Sequence, residues 1–170
     1  MNLRFFRARL SKNAHTIRSL VTDISEEQAR WKPSPDEWSI LEVINHLYDE
    51  EREDFRQRLN LLLHQPEQPW PGINPTGWVI ERRYNSRDPQ ASLRSFLQER
   101  QRSVAWLEGL VAPDWHARRE HPQAGALTAG DLLASWLAHD FLHLRQLTQL
   151  RWQYLAVAAP GRRVDYAGNW

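Results

Sequence analysis

Apolar residues recur at helical spacing in four long stretches of this chain of 170 residues. In the first stretch, Leu10, Ile17 and Val21 fall on one helical face, and the later stretches repeat the pattern. Because apolar positions three and four residues apart bury one side of a helix, the pattern predicts four amphipathic helices. They cover about residues 2–22, 39–64, 89–113 and 128–150.

The starts of three of these helices carry sequence signals of their own. Ser39 and Glu42 have the spacing of a capping box, and Thr128 and Asp131 have N-terminal capping character. Pro89 suits the first position of a helix, where its missing N–H is not needed. The second, third and fourth helices are therefore predicted to begin close to these residues.

The connecting segments are rich in turn residues. Residues 23–35, DISEEQARWKPSP, predict a short capped turn, and residues 65–77, QPEQPWPGINPTG, contain four prolines and two glycines and predict a long loop. Nothing in the chain shows a convincing alternating strand pattern. We therefore predict an all-α fold, an antiparallel four-helix bundle with a long crossover between helices 2 and 3. A single domain over residues 1–170 is expected.

Composition narrows the class of partner. Lys and Arg total 22 and Asp and Glu 21, so bulk charge does not favour nucleic acid or a membrane surface. The chain has no cysteine, which excludes disulfides, cysteine-ligated metal sites and a protein thiol as nucleophile. Its N-terminus resembles no signal peptide, and no run is long enough to span a membrane. The expected protein is cytoplasmic and acts on a small molecule.

The segment WLAHDFLHLRQL, residues 136–147, places His139 and His143 one helical turn apart in an apolar frame. Such a pair projects from one face and can chelate one cation. His46 lies in a similar frame on the predicted second helix and is the best third donor. Three neutral imidazoles would leave a fourth position open, as in catalytic zinc sites. Metal affinity should then fall as pH drops through the protonation range of the ligands.

Two acidic residues lie near these histidines in sequence. Asp140 resembles the general base of the zincin pattern H-E-x-x-H, but a residue next to a ligand points away from it, so we favour a hydrogen-bonding or solvated role. Glu50 is four residues after His46 and is the candidate catalytic carboxylate. The charge run DEERED around Glu50 also fits an ordinary solvated face, which is the commoner outcome.

The remaining histidines and several tryptophans have simpler interpretations. We expect four histidines to be solvated: His15, His64, His116 and His121. Four tryptophans are expected to fill the core: Trp31, Trp38, Trp106 and Trp136. Trp70 and Trp78 flank the long loop and are candidates for the wall of a pocket.

Two segments of the chain resemble the DinB-like superfamily of bacterial four-helix bundles, which includes YfiT-like metalloenzymes. DEWSILEVINHLYDEE resembles the second-helix motif of that family, and HDFLHLRQL resembles its fourth-helix motif. The order of elements also fits, so the resemblance extends over about residues 3–155. It implies that the family's three metal-binding histidines correspond to His46, His139 and His143.

The resemblance further implies a divalent ion, usually zinc or nickel, and frequently a homodimer. It leaves the reaction open between a thiol S-transferase, in which a low-molecular-weight thiol is the cosubstrate, and a hydrolase with metal-activated water. In the hydrolase, Glu50 would accept a proton. The alternative is a non-catalytic metal-binding or interaction protein, with a stress-related role among the options.

Overall fold

The computed structural model describes residues 1–121 and 125–168. Its helices are α1 (Leu3–Val21), α2 (Glu26–Arg30), α3 (Ile40–Asp49), α4 (Arg56–His64), α5 (Pro75–Glu81), α6 (Pro89–Glu108), α7 (Ala129–Gln153) and α8 (Leu155–Ala158). A π-helical turn, Glu50–Phe55, joins α3 to α4, and 3-10 turns lie at Tyr84–Ser86 and Asp165–Ala167. Strands β1 (Arg118–His121) and β2 (Gly125–Thr128) pair as an antiparallel hairpin. None of the helices described could span a membrane.

The bundle consists of α1, the continuous α3–α4 helix, α6 and α7, which confirms the predicted four-helix class. α1 packs against α6 and α7, and α3 packs against α6. The predicted capping boxes are present at Ser39 and Thr128, where side chain and backbone satisfy each other reciprocally. The first and fourth helices end within three residues of prediction, whereas α6 stops at Glu108, because Gly109 caps it.

The interior is divided into two apolar halves. One half contains Leu10, Phe55 and Trp136, and the other contains Ile17 and Leu147. The side chains buried between them along the helices are polar: Asn13 from α1, Glu51 from the π-helical turn, Arg100 from α6 and Asp140 from α7. Each bundle helix therefore contributes at least one polar group to a buried layer at mid-height.

The crossover between α4 and α6 differs from the predicted loop at its end. Pro75 starts α5, and the side chain of Asn74 accepts a hydrogen bond from the backbone N–H of Gly77. The proline that signalled a loop thus occupies the first helical turn, where proline is tolerated.

The hairpin was not predicted. In it, Arg118 pairs with Thr128 and His121 with Gly125. Its strands have four residues each and are mostly polar and exposed, so they carry no alternating apolar signal. Gly125 has a positive φ of 69°, which suits the turn end of β2.

Candidate metal centre

Three imidazoles converge between α3 and α7. The Nε2 atom of His139 lies 3.2 Å from Nε2 of His46 and 3.0 Å from Nε2 of His143. One ligand nitrogen from each ring lies within 4.8 Å of the others. The structure therefore brings the three sequence-predicted histidines together at one point.

Local structure explains this convergence. His139 and His143 are one turn apart on α7 and project from the same face. His46 is buried in the last turn of α3. Trp38, just before α3, lies against the His46 ring with centroids 4.9 Å apart, and Phe55 lies 5.2 Å from the His139 ring. These aromatic neighbours hold the rings in an apolar setting.

Burial keeps the three rings neutral. It lowers the pKa of His46 to about 3, with a further contribution from the nearby His143. It also lowers the pKa of His139 to about 2, where His143 and His46 add to the effect. The pKa of His143 is lowered by burial too, although Gln146 and Asp140 oppose the shift. Neutral imidazoles are the form that binds a metal ion.

The nitrogen geometry fits a first-row divalent ion. Zinc–imidazole bonds of 2.0–2.1 Å at tetrahedral angles place neighbouring nitrogens about 3.3 Å apart, close to the observed 3.0 and 3.2 Å. Nδ1 of His143 lies 2.8 Å from Oε1 of Gln146, an acceptor that places the ring proton on Nδ1 and leaves Nε2 free. Nδ1 of His46 is buried without a partner. The donor set therefore suits a divalent metal ion.

Glu50 is buried beside His46, so it does not belong to a solvated face. Its Oε1 lies 4.0 Å from Nδ1 of His46 and has no hydrogen-bond partner. Burial and the neighbouring Asp54 carboxylate together raise the pKa of Glu50 to about 8, against the opposing charge of Arg58. Glu50 is thus a protonated carboxyl at neutral pH in the metal-free protein.

The rest of the DEERED run is also largely buried, which corrects the expectation of a solvated charge run. Asp49 accepts hydrogen bonds from Arg82 and Tyr84, and Glu51 accepts from Arg100 and from the indole N–H of Trp136. The π-helical turn gives this segment its packing, and such turns occur frequently at functional sites.

Asp140 is fully buried and is not a base for the site. Both of its carboxylate oxygens accept from Arg100 at 2.7 Å, and Asn13 donates to it at 3.1 Å. The expectation of a solvated charge is therefore wrong, and the hydrogen-bonding role is fulfilled with Arg100 and Asn13 in place of a histidine. The charge of Asp140 also raises the pKa of His143.

Sequence reasoning missed Arg100 and the role of Gln146. Arg100 is 2% exposed and also donates to the backbone carbonyl of Leu10 and to Glu51. In the sequence, Arg100 is recognisable only as an arginine beside the apolar stripe of the predicted third helix. Gln146, three residues after His143 in HDFLHLRQL, could have been identified from that spacing.

The other histidines and tryptophans agree with the sequence-based expectations only in part. His15, His64 and His116 are exposed as expected, whereas His121 is half-buried and its ring contacts Trp70. Trp38, expected in the core, lies parallel to His143 with centroids 6.5 Å apart and forms part of the site wall. Trp78, a candidate pocket wall, is instead buried with Val79 and Tyr84 in a small apolar cluster.

Comparisons with known proteins agree with this architecture. The family model of the DinB superfamily matches residues 9–147. The fold is similar to that of YfiT from Bacillus subtilis, described as a probable metal-dependent hydrolase with an unusual four-helix bundle topology. The two chains are 19% identical, with a TM-score of 0.76, and the match covers 87% of this chain and 85% of that chain. No curated protein matches this sequence.

Proposed function

The chain belongs to the DinB superfamily, and we propose that it is a divalent-metal-dependent enzyme acting on a small molecule. His46, His139 and His143 are the proposed ligands. The observation that carries the proposal is the convergence of three neutral imidazoles, with Nε2 separations of 3.0 and 3.2 Å. Zinc or nickel is the proposed ion, because imidazole donors suit both.

A bound ion would supply Lewis-acid activation at this site. The chain's own groups then have distinct tasks. Gln146 fixes the tautomer of His143, and Trp38 and Phe55 limit the access of water to the rings. Glu50 is the proposed catalytic proton carrier, because its buried carboxyl lies beside His46. The charge of a bound ion would favour its ionised form, so in a hydrolase Glu50 would accept a proton first and donate it afterwards.

A hydrolase is the favoured reaction type. It is supported by a titratable carboxyl beside the histidines and by the description of YfiT as a probable metal-dependent hydrolase. A thiol S-transferase is the second candidate, supported by the resemblance of the two histidine motifs. Since the chain has no cysteine, a transferase would need a thiol cosubstrate. The dependence of turnover on added thiol distinguishes the two reactions.

Further features of the proposal are a single domain over the whole chain, a cytoplasmic location and a homodimer. The homodimer is supported by an apolar face of α7 that includes Phe141 and Leu142, which are 52% and 54% exposed. An interface between two copies would bury such a face. Sedimentation of the purified protein measures its oligomeric state.

Metal analysis tests the proposed site. We expect about one zinc or nickel ion per chain after reconstitution, and loss of that ion in His139→Ala with retention of helical circular dichroism. His15→Ala is the matched control, because His15 is exposed on α1 and should leave the metal content unchanged. Equal metal content in wild type and His139→Ala would overturn the ligand assignment. One tightly bound ion without turnover of any ester, amide or thiol substrate would favour the non-catalytic alternative.

A further inference from the structure

A cavity of about 420 Å³ opens beside the histidine cluster. His143 and Trp38 both line it, so the cavity shares a side chain with the proposed metal centre. Small-molecule sites commonly have volumes of about 300–1,000 Å³. The cavity is therefore large enough for part of a metabolite-sized ligand next to the histidines.

One wall of the cavity is a row of amides on α7. Gln146, Gln149 and Gln153 line it and continue the helical face of His143, at intervals of three, three and four residues. Oε1 of Gln153 is buried without a hydrogen-bond partner. An unpaired buried acceptor is costly, and a rotation of this side chain into the cavity would let a donor from a ligand satisfy it. From His143 to Gln153 the helix rises about 15 Å, so the wall suits an extended molecule.

The lining also carries negative charge. Asp36 and Glu37, in the segment before α3, line the same cavity as the amide row. Asp36 has no ion-pair partner among the described residues, and Glu37 accepts only from the hydroxyl of Ser34, at 3.0 Å. Among the described side chains that line the cavity there is no lysine or arginine. The lining side chains thus offer amide groups and negative charge, with no lysine or arginine to pair with an anion.

We propose that this cavity binds the non-reacting part of the substrate and that the substrate is a polar small molecule bearing an ammonium group. The ammonium group pairs with Asp36 and Glu37. Hydroxyl or N–H groups elsewhere on the ligand donate hydrogen bonds to the amide row. Carboxylate- and phosphate-rich molecules are bound more weakly because of the same charges. This inference rests on the proposed function for its link to a reaction, although the binding preference depends only on the cavity.

Three sugars of matched ring size test the charge preference: glucosamine, glucose and glucuronate. Binding is followed through the indole N–H resonance of Trp38, assigned with Trp38→Phe. We expect glucosamine to bind about tenfold more tightly than glucuronate, with glucose between them, because two exposed carboxylates act on opposite ligand charges. The double variant Asp36→Asn, Glu37→Gln should abolish the difference. Glu67→Gln removes an exposed carboxylate that does not line the cavity and should preserve it.

Equal or tighter binding of glucuronate, or a preference that survives the double variant, would overturn the inference. Repeating the titrations in His139→Ala separates this result from the metal proposal. The preference for glucosamine should persist there even though the metal is lost. Metal binding without the preference refutes only the cavity inference, and the preference without metal binding refutes only the proposed metal centre.

Discussion

His46 and His139 are buried away from water, and this changes the protonation of their imidazole rings. Burial holds the pKa of His46 at about 3 and that of His139 at about 2, far below the usual value of 6.5. The rings therefore stay neutral, and ready to bind an ion, under acidic conditions that would protonate exposed histidines. This refines the expectation drawn from the sequence, where ordinary imidazoles would set the pH range of metal binding.

We therefore expect the metal affinity to depend on the titration of at most one ligand between pH 7 and pH 5. Each ligand that titrates lowers the affinity about tenfold per pH unit below its pKa. With His46 and His139 neutral throughout this range, only His143 can contribute, so the loss should not exceed about tenfold per unit. Competition with a chelator, corrected for the chelator's own protonation, measures this slope. A loss of affinity approaching a thousandfold per pH unit would mean that all three imidazoles are protonated in this range, and would contradict the prediction.

Glu50 should make the metal-free protein less stable as pH rises. Its folded-state pKa is raised from 4.5 to about 8, so between these values the unfolded chain has lost a proton that the folded protein retains. Ionisation then favours the unfolded state increasingly from pH 4.5 to pH 8, and no further above pH 8. Glu50→Gln removes this dependence, and its free energy of unfolding should rise relative to wild type across that window. Urea denaturation at a series of pH values measures the difference.

The matched control for Glu50 is Glu67→Gln, since Glu67 is fully exposed to solvent in the segment after α4. Its difference from wild type should stay flat over the same pH range. If Glu50→Gln also gives a flat difference, the pKa of the Glu50 carboxyl is not raised in the folded protein, and the proposed effect of its burial is wrong.

The histidines were predictable from sequence, but the state of Glu50 was not. The spacing of His139 and His143 fixes their relation on any helix, whatever the tertiary structure. The burial of Glu50 depends on the π-helical turn, which shifts the face that the DEERED run presents to the bundle. A run of six charged residues carries no sign of that shift, because its composition is typical of a solvated surface.

At the scale of elements, the buried polar layer joins the helices that carry the histidines. Arg100 on α6 donates to Glu51, which lies in the π-helical turn that follows α3. It also donates to Asp140, which lies between the two histidines of α7. Because Arg100 and Asp140 are at most 2% exposed, these ion pairs depend on each other for compensation of charge. The layer therefore fixes the position of α3–α4 relative to α7.

Asp140→Asn should destabilise the metal-free protein by about 3 kcal/mol, because it leaves Arg100 with one carboxylate partner in place of two. Loss of metal affinity should accompany it, since the two histidine helices lose part of their common anchor. Chemical denaturation and chelator competition measure the two effects. Arg163→Ala breaks an exposed ion pair with Asp165 and should change neither quantity. Unchanged stability in Asp140→Asn would contradict the proposed role of the layer.

The elements themselves were predictable to different degrees. The long helices follow from apolar periodicity and from capping residues such as Ser39 and Thr128. The hairpin and α5 escaped prediction, because one has short polar strands and the other begins at a proline within a loop-like composition. Local signals thus succeed where an element buries a repeated face, and fail where tertiary contacts hold a short segment.

At the scale of the whole molecule, the histidine cluster links α3, which starts the second bundle helix, to the centre of α7. A bound ion would therefore cross-link two helices that are distant in sequence. An ion that binds the folded protein alone stabilises it by mass action, by about 2.7 kcal/mol at a hundredfold excess over Kd. Metal binding and global stability are thus expected to be coupled.

Removal of the metal should lower the melting temperature by roughly 5–10 °C, which corresponds to that free energy for a chain of this size. The measurement is differential scanning calorimetry of zinc-loaded and chelator-treated protein. Because tight binding needs all three imidazoles, zinc should not shift the melting temperature of His139→Ala, while His15→Ala should respond as wild type does. An equal shift in His139→Ala would place the stabilising ion elsewhere on the molecule and would contradict the proposed cross-link between α3 and α7.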